Sequence, residues 1–96
     1  MRHDEIVEQL LSYIYSTNPL AEKSRPLPLE ESLYEMGVLD SFGVIELVSY
    51  IEGHWSIQIL DSEITKEKFG GINKMARLIA RKLAAQSNPQ APALEG

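Results

Sequence analysis

The chain has 96 residues, 44% of them apolar, with a formal net charge of −5 and no cysteine. That length makes one small domain with a modest core, and the missing cysteine excludes a disulfide framework, a thiolate metal site and a cysteine nucleophile. Residues 1–63 hold twelve acids and three bases, whereas residues 64–96 hold two acids and six bases. The acidic body argues against a nucleic-acid partner and suits either basic protein surfaces or a plain solvated surface.

The N-terminus, MRHDEIVEQL, carries charges where a signal peptide needs an apolar core. No apolar run approaches a membrane span, so a cytoplasmic address is expected, without stable membrane insertion. Residues 4–16 predict a first helix. Ile6, Val7, Leu10, Leu11 and Ile14 recur at three- and four-residue spacing, and Asp4, Glu5 and Glu8 suit the positive end of the helix dipole. Asn18 and Pro19 predict its end. Residues 17–40 read as a long connection punctuated by Pro19, Pro26 and Pro28. Leu29, Leu33 and Met36 are spaced like a short turn that pins it to the core, and Gly37 supplies the exit.

Residues 41–54 predict a second helix with Val44, Leu47, Val48, Ile51 and Trp55 on its buried face. Gly53 and His54 are plausible end residues. SIQIL reads as an extended segment burying Ile57 and Ile59, since no second strand is available to pair with it. DSEITKEKF predicts a short helix capped by Asp61 or Ser62. Gly70 and Gly71 break the chain, and the last helix buries Ile72, Met75, Ala76, Ile79 and Leu83. Its wet face carries Lys74, Arg77, Arg81 and Lys82. Residues 86–96, rich in proline and poor in bulk, are expected to form a disordered tail behind a domain of residues 1–85. His3 and His54 are too few and too far apart for a metal cluster, and no metal site is expected. The sum is a small all-α bundle of three main helices, one short helix and a long first loop.

Within it, GVLDSFGVIEL (37–47) sets one hydroxyl, Ser41, among apolar neighbours. Serine at a helix start is commonly a cap. No histidine lies within ten residues to activate it and no Gly-x-Ser-x-Gly elbow exists, so a hydrolase is not expected.

The stretch also resembles the attachment motif of acyl and peptidyl carrier domains: a glycine shortly before Asp-Ser, then an amphipathic helix. The order of helix, long loop, motif helix, short helix and last helix resembles the four-helix carrier bundle over roughly residues 4–84, and IEGHWSIQI is similar to a segment that follows the motif in that family. GVLDSFG and EITKEKFGGINKMARLI are closer to stand-alone D-alanyl and specialised aminoacyl carriers than to fatty-acid carriers, whose second helix is more acidic.

The resemblance implies a non-enzymatic carrier. Ser41 would bear 4′-phosphopantetheine, donated from coenzyme A by a separate phosphopantetheinyl transferase, and the thiol of that arm would hold an acyl or aminoacyl group as a thioester. Asp40 would be recognised by the transferase. Partners implied are that transferase, a loading ligase and downstream acyl-transfer enzymes, meeting a monomer. Phe42, Ile45 and Ser49 fall away from the buried face and make a candidate docking surface, edged by Asp40, Glu46 and Glu52. Fatty-acid synthesis, or an unmodified helical interaction module in which Ser41 only caps, are the alternatives. Trp55 reads as core or as a gate to a bound acyl chain, and the basic face of the last helix as solvated or membrane-facing.

Overall fold

The computed structural model describes residues 2–23 and 25–87. Among these the chain is all-helical: α1 (His3–Thr17), α2 (Pro19–Lys23), α3 (Ser41–Trp55), α4 (Lys66–Phe69) and α5 (Ile72–Ser87), with a 3-10 turn at Asp61–Glu63. This arrangement is compatible with a small acyl-carrier-like helical bundle. No described helix is long and apolar enough to cross a membrane.

The core is a single cluster fed by every helix. Ile6, Leu10 and Ile14 of α1, Leu47 and Ile51 of α3, and Ile72 and Ile79 of α5 are fully buried within it. Each set keeps the helical spacing that puts its members on one face. Leu78 is also buried, and Leu83, expected inside, is half-buried. Trp55 is buried at the end of α3, as its place on the apolar stripe requires.

The first connection is more structured than its prolines suggest. Asn18 ends α1 in an extended conformation, donating its backbone N–H to Ile14 O at 2.9 Å. Its side-chain oxygen then accepts from the N–H groups of Leu20 (3.0 Å) and Ala21 (3.3 Å), and its amide nitrogen donates to Val38 O. Asn18 therefore closes one helix, caps the next and ties both to the segment before Ser41. Pro19 stops α1 but also opens α2, because the first helical position needs no N–H. The expected uninterrupted loop is corrected accordingly.

Farther on, Val38 N–H bonds to Leu33 O at 2.9 Å and Gly37 N–H to Tyr34 O at 3.1 Å. This pair of bonds is the Schellman arrangement, with Gly37 at φ +80° in the left-handed position. Leu33 and Val38 are both buried at its ends. Met36, expected to anchor this turn, is instead exposed.

Three other boundaries differ from expectation. Helix α3 runs past Gly53 and His54 and ends at Ser56, which adopts the left-handed conformation (φ 56°). The short helix divides into the 3-10 turn and α4, and the cap of α4 is Thr65, whose hydroxyl accepts from Lys68 N–H at 3.1 Å. Helix α5 continues through Gln86 to Ser87. The rest of the expected tail, residues 88–96, lies outside the described residues. The extended segment behaves as anticipated: Ile57 and Ile59 are buried.

Candidate functional site

Ser41 is the first residue of α3, and it is not the cap. Asp40 precedes it in an extended conformation and its Oδ1 accepts the Gly43 N–H at 2.7 Å. A side chain one residue before a helix reaches the free N–H groups of the first turn, whereas one already inside the helix does not. The Ser41 hydroxyl makes no hydrogen bond to a described residue and its side chain is exposed. The capping role, one of the two readings open for Ser41, thus falls to Asp40. Gly43 fits this cap closely, since a Cβ there would lie 3.3 Å from Asp40 Oδ1 and 3.2 Å from the Leu39 side chain.

Beside Ser41 lies a cavity of about 430 Å³. Its walls are largely apolar: Leu33 and Leu39 from the first connection, Val44 and Ile45 from α3, Phe69 from α4 and Met75 from α5. Glu35 and Lys66 also line it and form an ion pair at 2.8 Å. The Glu35 carboxylate, by hydrogen bond and by charge, holds the Lys66 ammonium above the usual lysine range. A separate acidic cleft adjoins the cavity and shares Ser32, Glu35, Lys66 and Gly70 with it.

The residues suggested as a docking surface do not all share one environment. Phe42 and Ile45 are 67% and 62% exposed, large values for apolar side chains, and Ile45 also reaches the cavity wall. Glu46 and Ser49 are exposed as well. Glu52 differs: half-buried, it accepts the Ile59 N–H at 2.8 Å and so holds the extended segment to α3. Tyr34, 57% exposed on the turn that carries Glu35, was not anticipated as part of this surface. Lys66, Glu35 and the cavity itself were also missed, because nothing in the sequence brings residues 35, 41 and 66 together.

The far end of α3 holds a different group. Tyr13 and Tyr50 stack at 4.1 Å, Tyr50 and His54 at 5.1 Å, and His54 meets Trp55 edge-on at 4.6 Å. His54 Nε2 lies 2.6 Å from Gln9 Oε1. Burial first, and then the neighbouring Tyr13, raise the Tyr50 hydroxyl pKa. These contacts join α1 to α3 at the end of α3 opposite Ser41. Among the described residues no group of three or more histidines and acids is placed to hold a metal ion.

No family model matches the chain. It is similar to curated proteins named D-alanyl carrier protein: 36% identical over 47 residues to that of Streptococcus mutans serotype c, and 38% over 47 residues to that of Streptococcus equi subsp. zooepidemicus. The protein of that name from Streptococcus suis is 36% identical over the same length. Each match covers 49% of this chain, and the chain spans 60% of the length of these relatives. The similarity supports a carrier-protein relationship.

Proposed function

We propose that this chain is a carrier that holds an aminoacyl or acyl group on a 4′-phosphopantetheine arm bonded to Ser41 Oγ. The observation that carries the reading is the state of Ser41: exposed, outside the helix cap and at the edge of a cavity. A serine occupied with capping would be held against its own backbone; this one is free to enter another enzyme's active site.

The residues fit the group. On attachment Ser41 Oγ bonds to the phosphorus of coenzyme A that bears the pantetheine, the pyrophosphate P–O bond breaks, and adenosine 3′,5′-bisphosphate leaves. The transferase takes the serine proton. The N-terminus of α3 favours the resulting negative charge, and Asp40 keeps the first turn of α3 folded while that charge is added. When bound, the group supplies a terminal thiol for thioester formation, chemistry that a chain without cysteine cannot provide itself. Leu39, Val44, Ile45 and Phe69 offer apolar shelter beside the attachment point.

The relatives' name favours D-alanine as cargo. The apolar walls of the cavity favour a second reading, an apolar acyl cargo of the kind a fatty-acid carrier holds. Phe42 and Ile45, with Glu46 at their edge, form the surface that a loading ligase would grip; Ser49 extends it, and Glu52 contributes through the segment it anchors.

The test is loading. Coenzyme A-treated protein is offered D-alanine with a D-alanine-activating ligase, and a medium-chain fatty acid with an acyl-activating ligase. One cargo should become bound in hydroxylamine-labile form, and Ile45→Ala and Glu46→Lys should both slow its loading without loss of helix. Labile label on untreated protein or on Ser41→Ala contradicts the carrier reading, and wild-type rates in both surface variants place docking elsewhere.

A further inference from the structure

The Glu35–Lys66 pair lies on the lining of the cavity beside Ser41. Glu35 belongs to the turn closed by Gly37, and Lys66 opens α4. Both side chains line the same cavity as Ser41. The pair therefore links two of its walls.

The electrostatics around Ser41 are one-sided. Asp40 adds a carboxylate immediately before it, and α3 contains no lysine or arginine. Lys66 is the one cationic side chain among the described residues that line the Ser41 cavity. Any anion bonded to Ser41 Oγ would have the α3 N-terminus, already partly engaged by Asp40, and Lys66 to balance it. The pair itself is easily exchanged, because its side chains are 69% and 58% exposed and water screens them. The other charges around Lys66 are Glu67 beside it and Glu30, Glu31 and Lys74 in the adjoining cleft; Lys74 donates to Lys66 O at 3.2 Å.

Resting on the carrier reading, we infer that Lys66 changes partners when Ser41 is modified. In the unmodified chain it pairs with Glu35. In the modified chain it turns to the phosphate oxygens on Ser41, and the Glu35 turn is released from α4. No covalent bond forms and the proton stays on Lys66. Modification then loosens the contact between two walls of the cavity at the moment an arm is present to use it.

The experiment is an NMR titration of the Lys66 side chain in wild type and Glu35→Gln, each before and after treatment with coenzyme A and a broad-specificity transferase. Before treatment Glu35→Gln should lower the Lys66 pKa, since Glu35 is its main support. After treatment the same substitution should leave it unchanged. Amide exchange at Met36 and Gly37 should quicken on modification, to the level of unmodified Glu35→Gln. An equal fall in the Lys66 pKa in both forms overturns the inference alone. Absence of any mass gain on treatment, checked first on the same samples, removes the carrier reading and this inference together.

Discussion

At the scale of single residues, the sequence Asp40-Ser41 assigns its two side chains different tasks. Asp40 spends its carboxylate on the Gly43 N–H, so the stability of the α3 start should follow Asp40. Asp40→Ala should lower unfolding free energy by about 1 kcal/mol, the usual worth of an acidic cap. Ser41→Ala should leave stability nearly unchanged, since the serine hydroxyl bonds no described residue. Denaturant melts of both variants check this; a larger loss in Ser41→Ala than in Asp40→Ala would return the cap to the serine. Sequence alone could not separate the two, because Asp and Ser are comparable caps and one position decides between them.

Among the elements, α1, α3 and α5 were legible because each is long enough to repeat its apolar spacing several times. Helix α2 was not. Five residues show no period, and Asn18-Pro19 reads equally as a stop and a start. The C-terminal boundary of α3 was misplaced for a related reason: Ser56, rather than the nearby glycine, takes the left-handed position. The 3-10 turn owes its place to a contact that sequence does not reveal. Glu63 joins Lys82 of α5 at 2.8 Å, with both side chains mostly covered. The Lys82 hydrogen bond first, then the Leu60 N–H, hold the Glu63 carboxyl below the usual range. A carboxyl with a lowered folded pKa stabilises above its unfolded value, near pH 4.3, and loses that contribution as pH falls through the folded value. Wild type should therefore lose stability between about pH 5 and the folded pKa of Glu63 more steeply than Glu63→Gln. Parallel melting curves for the two proteins across that range would remove the pair from the account.

For the molecule as a whole, the order of the three main helices and the apolar stripes they bury were readable, while the cavity was not. Leu33, Val44 and Met75 announce an inward face by type and spacing, Leu39 and Phe69 do not, and the convergence of all five beside Ser41 arises only when four segments pack. The same holds for Glu35 and Lys66, far apart in the chain and 2.8 Å apart in the fold. Charge is divided along the chain as well: Ser41 lies in the acidic first two-thirds, and the basic remainder supplies Lys66, the cation among the described residues that line its cavity. The central claim, that Ser41 is an attachment point, is tested most directly by intact mass followed by fragment mapping after incubation with coenzyme A and a broad-specificity phosphopantetheinyl transferase. The account predicts one phosphopantetheine increment, mapped to Ser41 and absent from Ser41→Ala. An unmodified wild-type chain, or an increment that persists in Ser41→Ala, would contradict it.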